Sequence, residues 1–161
     1  MTALTVCLWF DDQAEEAATF YTSLLRDGRI NSVDRYSESV AERAGKPAGS
    51  VMTVSFEAEG MRFLGLNGGP LFTFNESISL MVSRDTQDGI DELWDSILER
   101  GGTEQQCGWI KDQYGLCWQI IPTQLPELMR AGGEAAGAAL MNMRRIDIAT
   151  LEAAAGPTTS S

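Results

Sequence analysis

Apolar and polar residues recur along this chain with two different periods, and the periods follow one another in the same order twice. In the first half, an apolar, β-rich run at 4–10 precedes a stripe at helical spacing within 14–25. Residues 30–36 can form a further strand, and 51–56 and 61–66 flank a short polar turn typical of a hairpin. The first half therefore predicts one strand, one helix and three more strands.

Two local signals complete the first half. Asp12, followed three residues later by Glu15, resembles a capping box in which aspartate replaces the usual Ser or Thr, and it predicts the start of the first helix. The polar stretch 38–49 contains Gly and Pro and predicts a loop.

The second half begins with the same succession of a strand and a helix. Residues 77–83 alternate as a strand, and Asp85 or Thr86 is suited to cap the following helix. Apolar side chains at i, i+3, i+4, i+7 and i+8 predict that helix, and they are Ile90, Leu93, Trp94, Ile97 and Leu98.

Strands complete the second half as they complete the first. The Gly-Gly pair at 101–102 ends the helix, and strands are predicted at 104–111 and 116–121. A repeat of roughly 75 residues is too long for a solenoid. It favours a duplicated α+β module, with copies in 1–70 and 71–122 that together make one domain.

The composition changes after Pro122. Within a helical extension at 123–155 we expect short helices at 125–130, 134–145 and 146–155, followed by a disordered tail at 156–161. An Ala- and Met-rich stripe in this extension predicts packing onto the sheet or onto a partner subunit. Its residues are Ala135, Ala138, Ala139, Leu140 and Met143.

Charge and composition exclude several classes of function. The chain has 161 residues, of which 12 are basic and 23 acidic, for a formal net charge of −11. This charge disfavours nucleic acid and membrane surfaces as partners. There is no histidine, which removes imidazole bases and histidine metal ligands. Three cysteines without a CxxC spacing argue against a disulfide framework, and the first ten residues do not resemble a signal peptide. We therefore expect a cytoplasmic protein.

Several segments resemble PhnB-like proteins of the vicinal-oxygen-chelate (glyoxalase, bleomycin-resistance and dioxygenase) superfamily. The resemblance is closest to the subgroup labelled 3-demethylubiquinone-9 3-methyltransferase and covers nearly the whole chain. The segments are CLWFD at 7–11, AEEA at 14–17, Phe20-Tyr21, LNGGP at 66–70, FTFN at 72–75, CGWIKDQYGLCWQIIP at 107–122 and MNMRRIDIA at 141–149. The resemblance implies two tandem βαβββ modules whose curled sheets form a cup. It also implies a homodimer.

In this superfamily a divalent metal is usually held by the first and last strands of each module. Carried over to this sequence, the resemblance puts the four ligand positions at Thr5, Leu64, Ser77 and Gln119. Hydroxyl, alkyl and carboxamide groups without charge are unsuited to a catalytic divalent ion. We therefore predict a site with no metal and no cofactor.

The strand period then predicts which side chains face the cup. With the four metal-ligand positions facing the cup, the predicted ligand-binding residues are mixed in character, which suits a small-molecule pocket; a filled barrel interior is the alternative. These residues are Cys7, Trp9, Arg62, Leu66, Ser79, Trp109, Cys117 and Gln119. The opposite face is predicted to be uniformly apolar, and it comprises Leu8, Phe10, Phe63, Ile78, Leu80, Val82, Trp118 and Ile120.

Other groups in the cup have a structural explanation as well as a chemical one. Cys7 and Cys117 are predicted to be buried, inert thiols, because a reactive thiol needs a lowered pKa. The backbone amides of Gly68 and Gly69 could donate to an anion. Glu76 is a possible acid or base, although a solvated loop carboxylate is the simpler interpretation.

The function predicted from the sequence is the binding of a small molecule in a metal-free cup. An enzyme is the first alternative, either the methyltransferase of the subgroup label or another glyoxalase-like conversion. The second alternative is a sequestering protein of the bleomycin-resistance type. The usual signature of an adenosylmethionine-dependent enzyme, a strand, a GxGxG turn and a helix, is absent, because neither the Gly pair at 68–69 nor that at 101–102 has this setting.

Overall fold

A computed structural model describes residues 3–156 of the chain. Two compact units make up the chain, Met1–Phe74 and Asn75–Ser161. Each has one four-stranded sheet, and the second also includes the C-terminal helices. Of the predicted tail at 156–161, only Gly156 lies within the described residues.

The first unit follows the predicted order of a strand, a helix and three strands, with one additional helix. Its sheet has the order β1-β4-β3-β2, in which β1 and β4 are parallel and the other pairs antiparallel. Its elements are β1 (Val6–Phe10), α1 (Ala14–Leu24), β2 (Arg29–Arg35), α2 (Glu38–Ala44), β3 (Val51–Ala58) and β4 (Met61–Asn67).

Two local predictions for the first unit are wrong. The polar stretch at 38–49 contains α2, which buries Ala41 and ends at Gly45 in the left-handed region, with φ of 65°. Asp12 does not cap α1 either. The backbone N–H of Ala14 donates instead to Oδ1 of Asn67, at 2.8 Å, from the end of β4.

The second unit repeats the arrangement, with the sheet order β5-β8-β7-β6 and a parallel β5–β8 pair. The predicted strand at 104–111 is interrupted, and Thr86 caps the helix through a hydrogen bond from the N–H of Gly89, at 3.1 Å. The elements are β5 (Ser79–Arg84), α3 (Gln87–Glu99), β6 (Thr103–Glu104), β7 (Trp109–Lys111), β8 (Cys117–Pro122), α4 (Leu125–Met141) and α5 (Ile148–Ala155).

The C-terminal extension differs from the prediction in its packing. Helix α4 kinks at Gly133, which lies between the helices predicted at 125–130 and 134–145. It packs chiefly against α5 rather than on the sheet. Ala136 is its buried residue, whereas Ala135 and Ala138 are exposed. The segment between α4 and α5 is tied to α3, because the amide of Gln87 donates to the carbonyl of Ile146 and accepts from the N–H of Ile148. Within residues 3–156, no helix has both the length and the apolar character needed to cross a bilayer.

Each sheet has one face covered by a helix of its own unit. In the first unit, Leu8, Phe10, Phe56 and Phe63 are buried on the side of α1. In the second unit, Val82, Ile110, Trp118 and Ile120 are buried on the side of α3. The predicted apolar face is thus confirmed except at Ile78, which precedes β5 and is 55% exposed. The other face of each sheet is called its open face below.

Candidate functional site

The open face of the second sheet carries polar side chains in two adjacent rows. Strand register puts Met81, Gln119 and Trp109 opposite one another in the first row. The second row contains Ser79, Cys117 and Lys111. The alternation of β8 therefore places Cys117 and Gln119 on this face, as the strand period predicts.

Hydrogen bonds connect these side chains into two groups. Nε2 of Gln119 donates to Oγ of Ser79, at 2.8 Å. Nζ of Lys111 forms an ion pair with Oε1 of Glu76, and Nε2 of Gln105 donates to the same oxygen, at 3.3 Å. The Oε1 atom of Gln105 is buried and has no hydrogen-bond partner within the described part of the chain. A buried acceptor without a partner is costly to the fold.

Electrostatics fixes the ionisation of this face. The hydrogen bond from Lys111 is the main cause that lowers the pKa of Glu76, and the same contact raises the pKa of Lys111. Both groups are therefore charged at neutral pH. Burial raises the pKa of Cys117, while Lys111 opposes that shift and Glu76 adds to it. Cys117 is thus a protonated, buried thiol, which favours a packing role over a nucleophilic one.

Sequence reasoning missed part of this group. Gln105 was not among the predicted residues, and the simpler interpretation of Glu76 was a solvated carboxylate. Both residues lie outside the regular strands, where no periodicity indicates which way a side chain points. Only the tertiary structure brings Glu76 to Gln105 and Lys111, which are 29 and 35 residues from it along the chain.

The open face of the first sheet has a different character. Leu64 and Leu66 occupy its centre, half-buried, opposite Cys7 and Trp9 of β1. Cys7 is exposed rather than buried as predicted, although partial desolvation raises its pKa. In the same two rows, β3 contributes Ser55 and Thr53 and β2 contributes Ser32 and Asp34. This face is therefore apolar at its β1 and β4 positions and polar at its β2 and β3 positions.

Three charged side chains form one row at the end of the first sheet. Nε of Arg29 donates to Oε2 of Glu57, at 2.6 Å, and Nε of Arg62 donates to Oε1 of the same carboxylate, at 3.2 Å. The hydrogen bond from Arg29 is the main cause that lowers the pKa of Glu57. Arg62, the one basic residue predicted to face the cup, is therefore paired with a carboxylate.

Trp9 has a packing role in the structure. Its Nε1 donates to the carbonyl of Gly69, at 2.9 Å, and its ring meets Phe72 edge to face, with centroids 4.9 Å apart. A Cβ on Gly68 would lie 2.3 Å from the indole, so only glycine fits beneath the ring. The N–H groups of Gly68 and Gly69 donate to the carbonyls of Phe10 and Asp11, so the hypothesis that they bind an anion is wrong.

The donor chemistry of the structure does not fit the divalent metal of the superfamily. Gln119 is hydrogen-bonded to Ser79. Ser77 precedes β5, and its Oγ donates a hydrogen bond to Oδ1 of Asn75. Leu64 supplies an alkyl group, and Thr5 an uncharged hydroxyl. Among residues 3–156, no three His, Cys, Asp or Glu side chains come together in a way that could hold a metal ion. Uncharged donors of this kind are poor ligands for hard divalent cations.

The register also separates two positions that the sequence treats as equivalent. Leu64 lies opposite Cys7, whereas Gln119 lies opposite Met81. When the first strands of the two units are aligned by residue type, Leu8 with Leu80 and Phe10 with Val82, Cys7 corresponds to Ser79. Leu64 and Gln119 are therefore not equivalent, because their partners on the first strands are two residues apart.

Cavities within single units lie away from the predicted residues. One, of about 440 Å³, is lined by Asp11, Glu15, Arg35, Lys46 and other residues of the first unit. Another, also of about 440 Å³, lies between α4 and α5. Neither contains a residue that the strand period assigned to ligand binding.

Comparison with solved structures shows the fold class of the protein. The PhnB protein from Bacillus cereus, described as a putative 3-demethylubiquinone-9 3-methyltransferase, is 29% identical, with a TM-score of 0.67 over 76% of this chain and 100% of that one. A protein from Pseudomonas aeruginosa matches with a TM-score of 0.60 and 17% identity, over 76% of this chain and 98% of that one. The fold is that of the glyoxalase and bleomycin-resistance proteins, with two four-stranded sheets and their helices, as predicted.

The family follows from the sequence match. The model of the 3-demethylubiquinone-9 3-methyltransferase family matches residues 2–121, and the chain belongs to that family. Together with the PhnB structure, this confirms the resemblance to PhnB-like proteins. No curated protein matches the sequence.

Proposed function

We propose that the protein binds a small organic molecule on the open face of its second sheet, without a divalent metal ion. The observation that carries this proposal is the pair of polar groups, Gln119 with Ser79 and Lys111 with Glu76 and Gln105, beside the half-buried ring of Trp109. A few placed polar groups next to an aromatic ring are typical of small-molecule sites.

The chemistry of the groups constrains the ligand. The ammonium group of Lys111 has three N–H donors, and its contact with one carboxylate oxygen leaves donors for a ligand acceptor. The face of Trp109 suits a planar group. We therefore expect a planar molecule that carries a hydrogen-bond acceptor.

A thermal-shift screen against small metabolites, followed by calorimetry on each hit, tests the proposal. We expect Gln119→Ala to weaken binding by roughly tenfold, because one hydrogen-bonding partner is lost. Gln106→Ala is the matched control, since its side chain is exposed. Equal affinity of Gln119→Ala and the wild type would contradict the assignment of the site. Stoichiometric nickel, zinc or manganese in the purified protein would contradict the proposal that no divalent metal is used.

Methyl transfer is a second candidate, favoured by the description of the family that matches the chain. Calorimetry with S-adenosylmethionine tests it. The Gly pair at 68–69 follows β4, and the pair at 101–102 follows α3, so neither forms the turn between a strand and the next helix. We expect no binding of S-adenosylmethionine, and a micromolar dissociation constant would favour the enzyme over the binding protein.

We further propose that the protein is a homodimer. Support comes from Leu71 and Phe72, which are 74% and 58% exposed and adjacent in the chain. Light scattering behind size exclusion should give twice the mass of one chain. The mass of a single chain would rule the dimer out.

A further inference from the structure

A cysteine and a methionine from distant parts of the second unit bring their sulfur atoms together. Sγ of Cys107 lies 3.6 Å from Sδ of Met141, although 34 residues separate them in the chain. Cys107 belongs to the loop between β6 and β7, and Met141 is the last residue of α4. The Met141 side chain is 68% exposed, so solutes can reach the pair.

Backbone contacts fix the two segments against each other. The N–H of Cys107 donates to the carbonyl of Met143, and the N–H of Gly108 donates to the carbonyl of Arg144, both at 2.8 Å. Gly108 has φ of 83°, and a Cβ there would lie 2.7 Å from Cδ1 of Ile146, so a larger residue would separate the segments. The proximity of the sulfurs is therefore a consequence of the fold and does not require a bound ion.

Cys107 itself adopts an unusual backbone conformation. Its φ is 59°, in the left-handed region that residues with a Cβ seldom occupy. The paired N–H groups of Cys107 and Gly108 hold that conformation.

We propose that Cys107 and Met141 chelate one soft monovalent metal ion, Cu(I) or Ag(I). Thiolate and thioether sulfurs are the donors that such ions select. With metal–sulfur bonds of about 2.3 Å, sulfurs 3.6 Å apart subtend an angle of roughly 100° at one shared ion, which a trigonal or tetrahedral site accommodates. The net charge of −11 attracts cations to the protein.

Binding involves proton release and no redox step. The Cys107 thiol loses its proton to solvent as the sulfur–metal bond forms, and Met141 donates a lone pair. The oxidation state of the metal does not change.

Competition for Cu(I) under reducing, anaerobic conditions tests the proposal with the full-length protein. Bicinchoninate, a coloured Cu(I) chelator, is titrated with wild type and variants. We expect wild type to withdraw one Cu(I) per chain from the chelator. Met141→Leu should weaken this by roughly tenfold or more, because the second bond of a chelate forms within one molecule at a high effective concentration. Cys107→Ser should abolish it.

Matched controls distinguish the chelate from a single reactive thiol. Cys7→Ser removes a cysteine that is more exposed than Cys107, and Met143→Leu removes the neighbouring methionine; both should bind as wild type does. Circular dichroism establishes that every variant is folded. The proposal is overturned if wild type withdraws no Cu(I), if Met141→Leu binds as tightly as wild type, or if Cys7→Ser removes the binding.

Discussion

The open faces of the two sheets share a topology and differ in chemistry. In the first sheet the central positions of β4 are Leu64 and Leu66, which lie opposite Ser55 and Thr53 of β3. An Arg29–Glu57–Arg62 row lies at the end of that sheet. In the second sheet the central position of β8 is Gln119, which is hydrogen-bonded to Ser79 and lies beside Trp109. A duplicated backbone therefore does not imply a duplicated site, because the side chains on the open faces determine the chemistry.

The starts of the two equivalent helices differ in the same way. Helix α1 is capped from the sheet by Asn67, which also donates from Nδ2 to the carbonyl of Val51, at 3.1 Å. Helix α3 is capped by Thr86, three residues before the N–H that it accepts. The first unit thus relies on a long-range contact where the second uses a local one.

The largest effect is expected from Asn67→Ala. This change leaves the N–H of Ala14 and the carbonyl of Val51 without their partner, at a cost of roughly 3 kcal/mol in the free energy of unfolding. Urea denaturation measures the loss. Asn75→Ala, at an exposed asparagine, is the control and should cost much less. Similar losses in the two variants would show that Asn67 does not hold α1 to the sheet.

Substitution of the tryptophans on the two open faces should have smaller effects, on stability for Trp9 and on ligand affinity for Trp109. Trp9→Ala should cost roughly 2 kcal/mol, less than for a fully buried tryptophan, because it removes the support of Gly69 and Phe72. Trp109→Ala should instead reduce affinity for any ligand found in the screen. Thermal denaturation and calorimetry on both variants provide the comparison. A loss of ligand affinity confined to Trp9→Ala would reverse the assignment of the two faces.

Thr86→Ala should cost about 1 kcal/mol, because it removes one capping hydrogen bond from an exposed helix start. Thr86→Ser keeps the hydroxyl and serves as the control, with stability near that of wild type in the same denaturation experiment. If Thr86→Ala costs as much as Asn67→Ala, the contrast between local and long-range capping is wrong.

The smallest effect concerns pH. The pKa values of Glu57 and Glu76 are lowered by Arg29 and Lys111 respectively, so each carboxylate stabilises the folded state above the unfolded pKa of about 4.3. That stabilisation is lost as pH falls through the lowered folded values. The melting temperature of wild type should therefore fall more steeply in acid than those of Glu57→Gln and Glu76→Gln. Parallel acid profiles would show that neither ion pair contributes to stability.

The pattern of the sequence predicted the elements whose signals are local. The spacing of Ile90, Leu93, Trp94 and Ile97 predicted α3, and all four are buried. Thr86 was among the predicted caps because a cap acts over three residues. The stretch at 38–49 was predicted as a loop because it is polar and contains Gly and Pro, yet α2 forms there and buries Ala41. Its Gly and Pro lie after Ala44, and the residues of α2 are mostly good helix formers, so the local signal was a helix that ends at Gly45.

What the sequence determined by itself is the order of strands and helices apart from α2 and the break between β6 and β7, the buried face of each sheet, and the absence of histidine from any possible site. These depend on residue type and on periods of two and 3.6, which can be read along the chain. Tertiary structure alone decided that Asn67 caps α1, that Glu76 meets Lys111 and Gln105, and that the sulfurs of Cys107 and Met141 lie together. Each of these contacts joins residues that are 29 to 53 positions apart, and such distances are set by how the strands pair and where the loops return.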